Sequence, residues 1–502
     1  MLDSRWLRAF LITAAFLVAL VYLGQTAYAG YLGFPLDDAW IHQTYARNLA
    51  RWGQFAYARG QASAGSTSPL WTIVLAVGYL LFIEGRLWAY LMGAICLVLT
   101  ATIAHRLVTV LWPERQWVAL SVAIFCVLEW HLAWAAFSGM EILLFTCLSL
   151  LLIERALTRA HPFWIGLLGG LLILTRPEGV VLLLLAAMVS LLPDEGRRLR
   201  PASLVALLSG LSLLVVPYLT YNVLVSRTLF PNTFYAKQSE YRILLTNLSL
   251  WSRLWRLTRA TLIGAQMLLL PGFVYSIGRA VRQVVAGWRD LSPHKLFAPL
   301  LPIIWWASLL VIYALRLPVD YQHGRYVMPI IPIFIVYGVE GTAGILRPLS
   351  PRMSERVASR VLIATTGVLL LAFVFVGGQA YACDVGIIEG DMVDVARWLA
   401  ANTPADALIA AHDIGAIGYF SERPLLDLAG LVTPEIIPFI RDESRLLDFV
   451  QERGAKYLVT FPSWYPHMVQ NPHLVPVYRT NCQWTVKMGH DNMVVYQLSP
   501  PE

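Results

Sequence analysis

Long apolar runs dominate this sequence, at roughly 9–29, 69–83, 87–111, 117–136, 140–154, 163–174, 179–192, 203–225, 262–285, 298–315, 326–346 and 359–380. In lipid a backbone must satisfy its own polar groups, so such runs are helices, and about 20 apolar residues cross a bilayer. Of the 502 residues, 58% are hydrophobic and only 14% charged, whereas a soluble domain carries roughly 25% charge. The chain therefore lacks the polar surface that water demands. Its formal charge of +7 sits in short basic clusters between apolar runs. That is a pattern of membrane topology, not of nucleic-acid binding. The opening stretch, Met1 to Arg8 followed by an apolar run to Tyr28, reads as an uncleaved first span, because the run is too long for a signal peptide and lacks a small-residue cleavage site.

Basic clusters mark the cytoplasmic side. They fall at Arg5 and Arg8, at Arg106 and Arg115, and at Arg155 and Arg159. Others are Arg197, Arg198 and Arg200; Arg279, Arg282, Arg289 and Lys295; and Arg347, Arg352, Arg356 and Arg360. Putting all of them inside requires one run between residues 30 and 106 not to span. Pro69–Ile83 is the candidate, since at 1.5 Å per residue it reaches roughly 22 Å, short of the ~30 Å hydrocarbon core. It is read as a helix in the outer interface. The expectation is a polytopic α-helical membrane protein with about 11 transmembrane helices, its N-terminus inside and its C-terminus outside. The short runs 163–174 and 179–192 are two spans or a re-entrant hairpin, with the same parity.

Under this topology the unusual polar residues share the outer face. They lie in loop 30–86, in turns at Ser138–Glu141 and Thr175–Gly179, in loop 226–261, in connection 316–325, and in everything after residue 383. The C-terminal part changes pattern. Asp391–Asn402 and Leu446–Arg453 read as amphipathic helices, and "ALIAAH", "PLLDL", "KYLVTF", "LVPVYR" and "MVVYQL" as strands. That alternation predicts a small extracytoplasmic α/β domain over 384–502, beside a membrane domain over 1–383. Cys383 and Cys482 flank it, placed either for a disulfide or as thiols; Cys96, Cys126 and Cys147 lie in apolar runs as small core residues.

The candidate chemistry starts at "GFPLDDAWIHQTYARNLARWGQFAY", residues 33–57. A single Asp before a helix is commonly its cap; a second one opening the loop is not explained by capping. Cations and acids gather on the same face. Arg176 and Glu178 occupy an outer turn in "LTRPEGVV", where an arginine is costly unless paired or functional. Lys237 and Asn232 lie in "FPNTFYAK", His323 and Arg325 in "YQHGRYVMP", and Glu141 in "SGMEILLF". Each has a structural explanation: a stabilising Arg–Glu pair, a solvated lysine, snorkelling, an acid at a helix start. Together they suit one reaction. A carboxylate takes the proton of an acceptor hydroxyl, which attacks the anomeric carbon of a sugar carried on a polyprenyl phosphate, with inversion. The cations stabilise the departing phosphate. The catalytic candidates are Asp37 and Asp38. The substrate-binding candidates are His42, Tyr45, Glu141, Arg176, Glu178, Asn232, Lys237, His323 and Arg325. No Gly-rich phosphate loop precedes a helix.

"LDDAWIHQTYARNLARWGQFAYARGQASAGSTSPLWTIVLA" resembles the first outer loop of GT-C glycosyltransferases, nearest the bacterial arabinofuranosyltransferase-like and mannosyltransferase-like branch. "SGMEILLF", "LTRPEGVVLLL", "LFPNTFYAK", "RYVMPIIP" and "IAAHDIGAIGYFSERPLLDLAGL" resemble that branch in the same order. The resemblance implies a core of seven spans, interfacial helices in the first outer loop, and a second large outer loop before the eighth span. It implies Asp37 as general base, with Asp38 binding the acceptor, a divalent cation or the first turn, and Arg176 on the lipid phosphate. His42 departs from the small hydroxyl or aromatic residues of that position. The expected function is an inverting glycosyltransferase at the outer face of the cell membrane, acting on a glycan or lipid acceptor of the cell envelope. A protein O-glycosyltransferase or oligosaccharide ligase uses the same scaffold. A transporter would show broken helices in repeated halves and acids at mid-membrane, and here the acids cluster at one surface.

Overall fold

The apolar runs pack as a bundle of helices, and among the described residues the strands all belong to the C-terminal part. The computed structural model describes residues 4–193, 200–346 and 353–499. Arg197, Arg198, Arg347 and Arg352, and the side chain of Arg356, lie outside the described residues. Among those described, six helices are long and apolar enough to cross a membrane: Arg5–Tyr28, Gly85–Leu111, Pro201–Ser226, Pro293–Arg316, Tyr321–Leu346 and Arg360–Asn402. Two bent pairs raise the number to as many as eight. Three further apolar helices, Pro69–Leu80, Pro162–Thr175 and Gly179–Leu191, are shorter. The expected total of about 11 thus depends on helices too short to span by length alone.

One run expected to be continuous is broken, and another starts at a sharp bend, for identifiable reasons. Gln116–Leu128 and Trp130–Phe137 meet at 50°. Between them Glu129 turns back to accept the Leu132 N–H at 2.9 Å and pairs with His131 at 2.7 Å, so a buried acid caps a new helix inside the bundle. Leu250–Leu262 and Ala265–Gly287 meet at 107° through Gly264, whose φ of +133° is open to glycine and strained for other residues. Elsewhere glycine permits close helix approach. A Cβ on Gly166 would stand 1.9 Å from the Leu207 carbonyl oxygen, and one on Gly210 2.2 Å from that of Phe163.

The expected boundary at residue 384 falls inside a helix. Met353–Ile387 runs through a π-helical turn, Ile388–Val393, into Asp394–Asn402. Asp391 on that turn is fully buried and takes the hydroxyls of Thr480 and Thr485 and the Met493 N–H at 3.2 Å. This helix is thereby fastened to the sheet that follows. The five expected strands are all present: β1 Ile409–Ala411, β2 Leu425–Asp427, β3 Tyr457–Thr460, β4 Leu474–Arg479 and β5 Val494–Leu498. They form one sheet in the order β2-β1-β3-β5-β4. The β2-β1-β3 half is parallel and β5 runs antiparallel between β3 and β4. Leu446, Leu447 and Val450 of the Glu443–Glu452 helix pack with Ala410, Leu458 and Val494 beneath it. Cys383 and Cys482 are free thiols.

Candidate active site

The Asp37–Trp52 helix follows an extended Leu36 and has no side-chain cap at its start, so neither aspartate is spent on capping. It ends on Gly53 at φ +65°, whose N–H returns to Asn48 and Leu49. Asn48 then binds the carbonyls of Ala56 and Tyr57 at 2.9 and 2.8 Å, turning the chain back. Tyr45 anchors the returning segment through the Ser63 hydroxyl at 2.6 Å and the Gly65 N–H at 3.2 Å. Asn232 donates its backbone N–H to Ala64 at 3.0 Å, and the Thr233 hydroxyl binds Gly65 at 2.5 Å. The Asn232–Glu240 helix is thus pinned to the first loop, and Lys237, one turn after Thr233, faces Asp38.

Asp38 is the focus of a charge cluster. Its Oδ2 accepts from Arg325 Nη2 at 2.7 Å and from Lys237 Nζ at 3.2 Å. Both cations also donate to the Tyr326 hydroxyl, at 3.0 and 3.2 Å. The Lys237 and Arg325 charges outweigh burial and hold the Asp38 carboxyl well below the usual carboxylate range. Arg325 reaches this position from a strained turn, with Gln322, His323 and Gly324 at φ of +52°, +59° and +71°. Left-handed backbone at ordinary residues costs roughly 1–3 kcal/mol each. Asp384 helps hold it, binding His323 Nε2 at 2.8 Å and Trp134 Nε1 at 2.9 Å.

Asp37 faces the other way. Its two oxygens accept the Gly415 and Ala416 N–H groups, each at 2.7 Å, so it joins the first loop to the C-terminal sheet region. Gly415 is required there, because a Cβ would lie 2.0 Å from the Asp37 carbonyl oxygen. Burial pushes the Asp37 carboxyl up to about 7, against the lowering by those two N–H groups. The Tyr57 hydroxyl on the Ile414 carbonyl and Arg47 on the Tyr419 carbonyl at 3.1 Å extend the same seam.

A cavity of about 410 Å³ opens at Asp38. His42, Glu141, Arg176, Glu178, Lys237 and Arg325 of the sequence candidates line it. Asp37, Tyr45, Asn232 and His323 do not; they brace the loops that shape it. Arg176 is nine-tenths buried and paired with Glu141 at 2.9 Å and Glu178 at 3.7 Å, with Glu178 also taking the Tyr313 hydroxyl. Two carboxylates therefore surround the arginine expected on the phosphate. Arg316, Tyr313 and Tyr326 also line the cavity and escaped the sequence reading. Arg316 closes an ordinary apolar helix, and tyrosines before apolar runs look like interfacial anchors. Only the "RY" pair at 325–326 carried a signal, as a cation beside a phenol. Much of the remaining lining is apolar: Val180, Val181, Phe230, Phe234, Ile312 and Leu317.

Several polar atoms of these lining residues are buried from solvent and make no hydrogen bond within the described protein: His42 Nδ1, Glu141 Oε2, Arg176 Nη1, and Arg325 Nε and Nη1. An unmet buried group costs about 1–3 kcal/mol. Among the described residues no three His, Cys, Asp or Glu side chains converge as ligands for a metal ion.

This architecture has relatives among solved structures. The structure of ArnT from Cupriavidus metallidurans bound to undecaprenyl phosphate superposes with a TM-score of 0.59 at 15% identity, covering 98% of each chain. The chain shares that fold. The Archaeoglobus fulgidus oligosaccharyltransferase in complex with Zn and sulfate gives 0.58 at 14% identity over 90% of this chain and 67% of that one. Arabinofuranosyltransferase AftD from Mycobacteria gives 0.52 at 16% identity, over all of this chain but 42% of that one. By sequence, residues 381–496 match a family described as a domain of unknown function, DUF8728. That segment carries Asp384, Gly415 and Ala416. No curated protein matches the sequence.

Proposed function

We propose that this protein is an inverting glycosyltransferase that moves a sugar from a polyprenyl phosphate to a hydroxyl of a cell-envelope glycan or lipid, at the outer face of the cell membrane. One observation carries the reading. A single cavity joins the paired cations Lys237 and Arg325 to an apolar lining that includes Val180, Phe234 and Leu317, with Arg316 over the Phe234 ring at 5.3 Å. An anionic head on an isoprenoid tail fits both parts, and a soluble sugar nucleotide would leave the apolar wall unused. The related folds agree in ligand class, one being bound to undecaprenyl phosphate and another to a dolichol-phosphate with an inhibitory peptide.

The phosphate lies against Lys237 and Arg325. Arg176, with Glu141 and Glu178 beside it, lies outside this anion site. Asp38 is the general base. In the free protein its two cations make it a poor one, because a base needs a pKa near the working pH. A bound phosphate shares those cations and lifts the Asp38 carboxyl toward that range. The acceptor oxygen then forms its bond to the anomeric carbon as Asp38 takes its proton. The anomeric carbon–phosphate oxygen bond breaks on the opposite face, and the polyprenyl phosphate leaves with the electron pair, its charge met by Lys237 and Arg325.

The test is transfer by full-length protein in nanodiscs, with mass spectrometry of the lipid that copurifies. A polyprenyl phosphate or its glycosyl ester is expected. Failure of undecaprenyl phosphate to bind, with the protein folded, would refute the reading.

A further inference from the structure

We infer that a second cavity, where the first membrane helix meets the C-terminal sheet, binds the headgroup of a membrane phospholipid that carries both a phosphate and a primary ammonium. The inference stands apart from the glycosyltransferase reading, because this cavity shares no lining residue with the one at Asp38. It encloses about 710 Å³. One side is the mouth of two spans, with Ala27 and Tyr31 around the end of Arg5–Tyr28 and Arg86 at the start of Gly85–Leu111. The other side belongs to the C-terminal part. Glu389 comes from the π-helical turn, Asp394 and Arg397 from the helix after it, and Tyr478 and Arg479 from the end of β4.

The charged groups here do not neutralise one another. Glu389 is 8% exposed and makes no hydrogen bond or ion pair among the described residues. Its Oε1 is sealed against Gly33, where a Cβ would stand 1.9 Å away, so Oε2 is the oxygen with surface in the cavity. Asp394 accepts the Tyr478 hydroxyl on Oδ2 at 2.6 Å, which leaves Oδ1 open. Arg397 rests over the Phe420 ring at 5.6 Å. Neither it nor Arg479 has a carboxylate within 4 Å among the described residues. Arg86, by contrast, is spent on Glu84 and the Leu32 carbonyl, each at 2.7 Å, and serves as wall. A phosphate alone would leave the two acids unmatched, and an amine alone the two arginines. A phosphate and an ammonium two carbons apart give each pair its counter-charge through charge-assisted hydrogen bonds.

The setting supplies the rest of the lipid. Tyr28, beside the cavity, is 96% exposed, as suits an aromatic at a membrane interface. After Arg86, the exposed Leu87, Leu91, Ile95 and Leu99 recur every fourth residue, a stripe down one face of the span along which an acyl chain can lie. A primary ammonium offers three donors. A choline headgroup offers none, and a glycerol headgroup lacks the positive charge. Phosphatidylethanolamine is the lipid that fits. Seated there, it joins the spans to the C-terminal sheet and stabilises the folded protein.

The experiment titrates delipidated full-length protein in detergent with phosphatidylethanolamine, phosphatidylcholine, phosphatidylglycerol and soluble phosphoethanolamine. Native mass spectrometry counts the bound ligand, and melting is followed, for wild type, Glu389→Gln and Arg479→Ala. Wild type should hold one phosphatidylethanolamine about 10- to 100-fold tighter than either other lipid, the range for a charge-assisted hydrogen bond, and should melt higher with it. Glu389→Gln should lose most of that preference, and Arg479→Ala should bind phosphatidylethanolamine about tenfold more weakly. Arg479 is exposed on an edge strand, so its variant keeps the fold should Glu389→Gln fail to. Equal binding of the three lipids by wild type overturns the inference, as does wild-type preference and affinity in either folded variant. Phosphoethanolamine binding as tightly as the lipid would make the ligand a soluble ester and overturn it too.

Discussion

Asp38→Asn separates catalysis from donor binding. In the folded protein Asp38 Oδ2 engages Arg325 at 2.7 Å and Lys237 at 3.2 Å. Asparagine keeps the shape and one acceptor but loses the charge and the base. Turnover should therefore fall by about 10² to 10⁴, the usual contribution of a general base. Donor affinity should move the other way. The two cations lose their internal carboxylate, and a charge-assisted hydrogen bond contributes about 1.5–3 kcal/mol. If half of that is passed on to the phosphate, undecaprenyl phosphate binds up to about tenfold tighter. The cost appears in stability. Breaking a fully buried pair costs about 3–5 kcal/mol, and with the Asp38 side chain 27% exposed the penalty should lie below that range. Single-turnover transfer, Kd for undecaprenyl phosphate and thermal melting measure the three effects. Near-wild-type transfer by a folded Asp38→Asn protein would move the base elsewhere. Loss of lipid binding would refute the idea that Asp38 competes with phosphate for these cations.

Asp37→Asn should act through the seam with the C-terminal region, because only one of the Gly415 and Ala416 N–H groups keeps an acceptor. Burial raises the Asp37 carboxyl from 3.8 to about 7, so its stabilisation is full below the unfolded value and is lost as pH rises through about 7; melting of the Asn variant against pH should show that slope flattened, and parallel curves would count against it. Arg176→Ala leaves Glu141 and Glu178 without their cation and should cost about 3–5 kcal/mol in melting experiments. Arg176→Lys keeps the charge without the planar fork and should restore most of that stability. Cysteine placed at Asn481 should react with a membrane-impermeant reagent in intact cells; reaction only after permeabilisation would reverse the orientation and move the active site inside.

Much of the architecture was legible because it follows from local rules. Apolar runs in lipid have only the helix to adopt, and four of the five C-terminal strands carry β-branched residues between turn signals. The gathering of Asp38, Glu141, Arg176, Lys237 and Arg325 at one surface followed from charge parity along the chain. What local rules did not give was continuity. The break at Glu129 depends on a buried carboxylate turning back to a backbone N–H, and the helix through residue 384 persists because Asp391 finds Thr480 and Thr485 from far along the chain.

The division of labour between the paired aspartates belongs to the tertiary structure. Sequence fixes that two carboxylates stand side by side at the start of a helix, where side chains about 100° apart cannot face the same way. Which one enters the cavity depends on partners some 200 to 380 residues distant: Lys237 and Arg325 draw Asp38 inward, and the N–H groups of Gly415 and Ala416 hold Asp37 against the C-terminal region. Charge and hydrogen-bond geometry act over a few ångströms of space, not over positions in the chain. The sequence could name the acids, the cations and the surface they share; only the packed helices decide which acid meets which cation.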